Sequence, residues 1–156
     1  MATLTIKNKQ EEAKFGFAFK NLADKSYNQT DTAGNEVGGF STIYTGLLQF
    51  DLDALKAFWD CALAHNKKRP AIADIEAALE ARIEEDGDTT TLFKEAFQVI
   101  NESGFFKKDA KTFWKNLELF KTMGQTEEEQ AENAKGVQIM LDAKAELLDE
   151  ETELTD

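Results

Sequence analysis

The sequence is poor in cysteine, histidine and proline, and each scarcity excludes a class of protein. The single Cys61 excludes an internal disulfide framework and zinc sites built from several cysteines. One proline in 156 residues favours long helices over a turn-rich β-sandwich. No run of about 18 apolar residues and no signal-peptide pattern is present, so we expect no membrane span and a reducing cytoplasm.

Acidic residues outnumber basic ones, and the surplus is concentrated toward the C-terminus. The net charge of −12 at pH 7 argues against binding to nucleic acid or to an anionic membrane. Residues 1–120 carry 15 basic and 19 acidic side chains, a net charge of −4, whereas residues 121–156 carry 3 and 11, a net charge of −8. This shift predicts a helical domain at 1–121 and an acidic extension at 122–156.

The hydrophobic periodicity predicts a mainly α fold, a compact multi-helix domain with a small N-terminal β-hairpin and a C-terminal acidic helical extension. Residues 3–7 alternate like a strand, residues 8–10 form the predicted turn, and Ala13 and Phe15 belong to the predicted return strand. The pattern after Phe15 fits either a strand or a helix. Residues 26–39 are polar and contain glycine, which predicts a loop.

Spacings of three and four between apolar residues predict helices from Phe40 to Phe120. Asp51 or Asp53 is positioned to cap one of them. Thr126 begins a capping box, which predicts a weakly amphipathic helix over residues 127–148. We expect residues 149–156 to fray.

No strong motif for chemistry is present, so we predict no enzyme, no cofactor, and no catalytic, metal-binding or cofactor-binding residues. His65 follows Cys61 by four residues, which would place a metal pair or a thiolate–imidazole dyad on one helix face. Two ligands without a third or fourth do not make a zinc site. We therefore favour a buried cysteine near a helix-terminal histidine.

Aromatic residues between 105 and 120 cover more of a helix than one core seam needs. The adjacent pairs are Phe105 with Phe106 and Phe113 with Trp114. Most of these side chains should belong to the core of the domain itself. The surplus nevertheless makes these four residues the candidate binding surface for an apolar partner helix.

The order of several short segments resembles that of the tail assembly chaperones of long-tailed, non-contractile bacteriophages, particularly those of Gram-positive hosts. The resemblance covers about residues 3–121, and Ala71 departs from it where a capping Ser or Thr is expected. The segments that carry it are Leu4-Thr5-Ile6, Lys14-Phe15-Gly16-Phe17, Val37-Gly38-Gly39-Phe40, Asp51-Leu52-Asp53-Ala54-Leu55, Ala62-Leu63-Ala64-His65 and Ser103-Gly104-Phe105-Phe106.

This resemblance implies a non-enzymatic scaffold in the host bacterial cytoplasm. Such a protein binds and solubilises the tape measure protein, helps recruit the tail tube protein, associates with further copies of itself, and is absent from the finished virion. Its client contacts would include Phe105, Phe106, Phe113 and Trp114. The alternative, motivated by the charge, is an acidic decoy that mimics nucleic acid or inhibits a host nucleic-acid-binding enzyme.

Overall fold

Residues 1–149, the part of the chain that the computed structural model describes, form a hairpin and seven helices. The mainly α fold with an N-terminal hairpin is thereby confirmed. Of the residues expected to fray, 150–156 lie outside the described residues. The elements are β1 (Thr3–Ile6), β2 (Lys9–Glu12), α1 (Phe17–Ser26), α2 (Gly39–Leu48), α3 (Leu52–Ala62), α4 (Ile72–Asp86), α5 (Thr90–Glu102), α6 (Lys107–Phe120) and α7 (Glu127–Leu147).

The hairpin turn lies one residue earlier than the sequence predicts. Ile6 pairs with Lys9, so Lys7 and Asn8 form a two-residue turn, and both have positive φ angles, 49° and 65°. That geometry is typical of a type I′ turn, and it fixes the register of the two strands. The return strand therefore ends at Glu12, and the prediction that it extends through Ala13 and Phe15 is wrong.

Helix α2 lies at the centre of the molecule and packs against α1, α3, α5 and α7. Helix α3 packs against α1, α2, α4 and α5. The segment after Phe15, which fits either a strand or a helix by its pattern, is a helix: α1 starts at Phe17 and buries Phe19. The largest apolar side chains that α2 and α3 bury include Ile43, Leu47, Leu55 and Phe58.

Two glycines allow α2 to approach its neighbours closely. A Cβ atom on Gly39 would lie 2.2 Å from the carbonyl carbon of Ala23 in α1, and one on Gly46 would lie 2.3 Å from the Cβ atom of Ala54 in α3. The backbone N–H of Gly39 also donates a hydrogen bond of 3.0 Å to the carboxylate of Asp24. Close backbone contact and a carboxylate cap together fix the start of α2 against α1.

The capping residues expected from the sequence are present at α3 and α7. Asp51, rather than Asp53, caps α3, because its Oδ1 accepts a hydrogen bond of 2.9 Å from the backbone N–H of Asp53. Thr126 Oγ1 accepts a hydrogen bond of 3.1 Å from the N–H of Glu129. The Glu129 carboxylate accepts one of 2.8 Å from the N–H of Gln125. These bonds satisfy N–H groups that the first helical turn leaves without partners.

Helix α7 packs onto α2, α5 and α6 instead of projecting into solvent. Its Val137 and Leu147 side chains are fully buried, and Gln98 of α5 donates a hydrogen bond of 2.9 Å to the carbonyl oxygen of Leu147. Lys94 of α5 forms an ion pair with Asp149. The helix expected at 127–148 is confirmed, while the domain boundary at residue 121 stays a prediction.

Across residues 1–149, no helix combines the length and the apolar character that crossing a lipid bilayer requires.

Candidate functional site

The four aromatic residues named from the sequence do not form one surface, and Phe106 lies in the core. Only 2% of Phe106 is exposed. Its ring centroid lies 5.1 Å from that of Phe19 and 4.7 Å from that of Phe40. Phe106 therefore holds α1, α2 and the start of α6 together, and a partner helix could not reach it without opening the core.

Trp114 is held in place by a chain of hydrogen bonds. Its Nε1 donates to the hydroxyl of Tyr44 at 2.8 Å, and that hydroxyl donates to Oδ1 of Asn101 at 2.6 Å. Burial raises the pKa of Tyr44 to about 12, so the hydroxyl stays protonated and remains a donor. The Nζ atom of Lys144 in α7 lies 4.8 Å from the centre of the indole ring. Trp114 thus links α2, α5, α6 and α7.

Phe105 and Phe113 are only half-buried, and they lie on different parts of the surface. Phe105 contacts the ring of Phe17 edge-on at 5.2 Å, and Phe17 is 69% exposed. Phe113 contacts Tyr44 edge-on at 4.9 Å on its buried side. Its other side lines an open groove, so Phe113 is the one predicted residue that belongs to a concave apolar surface.

This groove, called the α6 groove below, lies between the start of α2 and the length of α6. Its volume is about 330 Å³. Half-buried rings and a leucine form an apolar floor, and short polar side chains line the rim, as in many grooves that bind peptides. The floor comprises Phe40, Phe113 and Leu117, the rim comprises Ser41, Asp109, Thr112 and Asn116, and Phe120 closes the far end.

Phe120, at the far end of the α6 groove, is followed and preceded in the chain by other exposed apolar side chains. Phe120 is 44% exposed, Leu119 is 59% exposed and Met123 is 58% exposed. Three large apolar side chains within five residues are unusual on a protein surface and are typical of binding sites. The sequence did show a signal for this, because Leu117 and Phe120 continue the apolar stripe of α6 beyond the length that the core covers.

A larger cavity of about 770 Å³ lies between the hairpin and α4, and its walls are already paired. Lys7 forms an ion pair of 3.1 Å with Asp74 across it, and Arg82 forms one of 2.8 Å with Asp86. Its lining mixes both charges with alanines and threonines. Polar and apolar surface contribute about equally to this cavity, whereas apolar surface predominates in the α6 groove, so we place the functional site at the α6 groove.

Cys61 and His65 do not form a reactive pair in the described structure. Cys61 is 1% exposed, and burial raises the pKa of its thiol, which disfavours the nucleophilic thiolate. His65 is exposed, and its Nδ1 lies 3.1 Å from the carbonyl oxygen of Ala62. Within residues 1–149, no group of three or more His, Cys, Asp or Glu side chains is arranged to hold a metal ion.

Comparison with known protein families gives a match over most of the chain. The family model described as "phage tail assembly chaperone protein" matches residues 3–115 of this chain. The matched range includes β1, the whole of α2 and α6 as far as Lys115. No curated protein and no solved structure matches the chain.

Proposed function

The chain belongs to the phage tail assembly chaperone family, and from that premise we propose that it binds the tape measure protein in the α6 groove and keeps it soluble. The family inferred from the order of segments is confirmed, and it indicates a non-enzymatic role in assembly with phage tail proteins as partners. The restriction to phages of Gram-positive hosts stays a prediction.

The observation that carries the proposal is the open apolar floor of the α6 groove. A tape measure protein is a long helical chain, and each amphipathic segment of it has an apolar stripe that needs cover. A helix can place such a stripe along Phe40, Phe113 and Leu117, while the polar rim of the groove keeps the contact reversible. Phe106 and Trp114 support this floor from inside the molecule without touching the client.

The charge of the chain supports the same role. Each bound copy would add a net charge of −12 to the client, and like charges keep coated particles apart in solution. In this proposal the coat forms in the host cytoplasm, helps tail tube subunits assemble around the client, and leaves before the virion is finished.

Co-expression with the tape measure protein of the same phage tests the proposal. We expect the wild-type chain to keep that protein in the soluble fraction and to copurify with it. Phe120→Asp places a charge at the open end of the groove, where Phe120 is already 44% exposed, so the fold should survive. Burying an unpaired carboxylate against an apolar client should reduce recovery of the complex about tenfold or more.

Ile139→Asp in α7 is the matched control, because Ile139 is 69% exposed and does not line the groove. This variant should recover the client as the wild type does. An insoluble client with the wild-type chain would contradict the proposed function. Equal recovery with Phe120→Asp would instead show that binding occurs elsewhere on the surface.

The acidic decoy alternative finds no support among the described residues. A mimic of nucleic acid needs carboxylates spread over its surface with the regularity of phosphates. Helix α6 instead exposes Lys107, Lys108, Lys111 and Lys115, a basic face that a DNA-binding protein would repel.

A further inference from the structure

The solvent face of α6 carries a row of lysines that has no partner within the molecule. Lys108, Lys111, Lys115 and Leu119 follow one another at helical spacing, and all four are exposed. None of these three lysines takes part in an ion pair within residues 1–149. Leu119, at the end of the row, is 59% exposed. A basic row of this kind is conspicuous in a chain with a net charge of −12.

The solvent face of α4 carries the complementary row. Ala73, Glu76, Glu80 and Glu84 are all exposed and also follow one another at helical spacing. Only Glu76 has a nearby cation in residues 1–149, the Nζ atom of Lys56 at 4.0 Å. The small Ala73 side chain leaves room for an apolar residue of a partner to approach the α4 backbone.

The two rows match in length and in order when the helices run antiparallel. Residues 108 and 119 are eleven positions apart, as are residues 73 and 84, so each row spans about 16.5 Å at roughly 1.5 Å per residue. In that register Lys108 lies opposite Glu84, and Leu119 lies opposite Ala73. The two intermediate pairs, Lys111 with Glu80 and Lys115 with Glu76, are offset by one residue, about 1.5 Å.

We propose that the α6 lysine row of one copy docks on the α4 glutamate row of a second copy. None of the row residues lines the α6 groove, and the floor residues Phe113 and Leu117 lie about 200° around the helix from Lys111 and Lys115. The contact therefore goes beyond client binding and can be tested without a client. Attraction between the two charged rows sets the relative orientation of the helices, and the contact of Leu119 with Ala73 adds buried apolar area.

Such a contact joins two different surfaces. A pair of copies therefore still has one free α6 lysine row and one free α4 glutamate row. Helix α6 packs against α5 and α7, whereas α4 packs against β1 and α3, so the two rows belong to different parts of the molecule. Heterologous contacts of this kind build rings or open helical arrays, and an array can extend along a long client. Screened surface charges make it weak and salt-sensitive, as a removable coat requires.

Charge exchange between the two rows tests the proposal on the purified full-length chain. Sedimentation velocity over a range of concentrations at low salt should show wild-type oligomers that dissociate in ~1 M NaCl, where the Debye length is about 3 Å. The variants Lys111→Glu/Lys115→Glu and Glu76→Lys/Glu80→Lys should each weaken self-association about tenfold or more, because attraction becomes repulsion. Mixed in equal amounts, the two variants should associate with each other, because each contact between unlike variants joins opposite charges.

Lys67→Glu/Lys68→Glu is the control, since it changes the net charge as the first variant does at exposed lysines outside the row. It should associate like the wild type, and circular dichroism should show equal helix content in all variants. A monomeric wild type at low salt overturns the proposal. So does a mixture of the two row variants that stays monomeric. If the lysine variant loses only client binding, the row binds the client and the proposal is wrong.

Discussion

Gly39 shows how one missing side chain decides the position of a helix. Because Gly39 has no Cβ atom, α2 can lie closer to the backbone of Ala23 than any other residue would allow, and the N–H of Gly39 donates a hydrogen bond to the carboxylate of Asp24. The Lys20 side chain, which also bonds to Asp24, and the Gly39 N–H together hold the pKa of that carboxyl below its usual value. The segment Val37-Gly38-Gly39-Phe40 is part of the family resemblance, and this contact gives a physical reason for its second glycine.

Gly39→Ala should destabilise the protein strongly. The added Cβ atom would lie 2.2 Å from a backbone carbon, which cannot move aside like the end of a side chain. Helix α2 would have to shift away from α1, and overpacking of this kind typically costs about 1–3 kcal/mol. Urea denaturation followed by circular dichroism measures the loss as a lower midpoint.

Gly136→Ala is the matched comparison, because a Cβ atom at this position of α7 has no neighbour within 4 Å. Alanine also favours a helix over glycine, so the free energy of unfolding should stay the same or rise by about 0.4–1 kcal/mol. Equal effects of the two substitutions would show that α1 and α2 are not held by this backbone contact.

At the scale of the elements, local pattern was sufficient for the helices but not for the surfaces they expose. Spacings of three and four placed α2 to α6, and the capping box placed the start of α7. One apolar stripe runs from the buried Phe106, just before α6, to the exposed Phe120 at its end, and nothing in the spacing separates them. The difference comes from Phe19 and Phe40, which cover Phe106 and are distant in sequence.

The candidate site was therefore found only in part from the sequence. Phe113 lines the groove and stays a predicted client contact, but Phe40, which lines the same groove, was assigned to a helix and not to the site. Trp114 looked like surplus surface because its hydrogen bond to Tyr44 and its contact with Lys144 depend on how three other helices pack. Long-range contacts of this kind leave no periodic signal in one sequence.

Helix α7 should behave as a separately stabilised element. Its buried anchors are few, so Leu147→Ala, which removes a fully buried side chain, should detach its C-terminal half at a local cost of about 2–5 kcal/mol. Hydrogen exchange should then quicken in α7 while α2 and α3 keep their protection. The fluorescence emission of Trp114 should shift to longer wavelength, because Lys144 of α7 would no longer cover the indole ring and water would reach it.

Ile139→Ala in the same helix is the comparison for this prediction, since Ile139 is 69% exposed and its removal should leave exchange in α7 unchanged. If Leu147→Ala quickens exchange equally in α2 and α3, α7 is part of one cooperative core. That outcome would also argue against a domain that ends at residue 121.

At the scale of the whole molecule, charge and apolar surface oppose each other. The α6 groove, with Phe120, Leu119 and Met123 beside it, favours association with any apolar surface. The net charge of −12 opposes indiscriminate association, because copies repel one another wherever opposite charges do not meet. The net charge can thus limit aggregation at pH 7 while the apolar groove stays exposed.

This balance predicts that the folded protein precipitates as its charge is titrated away. The pI calculated from the sequence is about 4.6, so acidification from pH 7 toward that value removes the net charge and the repulsion between copies. Turbidity should rise near pH 4.6 while circular dichroism of the remaining soluble protein keeps its helical signal.

Two variants with the same charge change test whether the exposed end of the groove takes part. Phe120→Asp removes part of the exposed apolar surface and should reduce the turbidity at its own, slightly lower pI. Ile139→Asp should reduce it less. If turbidity appears only after the helical signal is lost, precipitation results from unfolding. In that case the net charge does not act by keeping the grooves of folded copies apart.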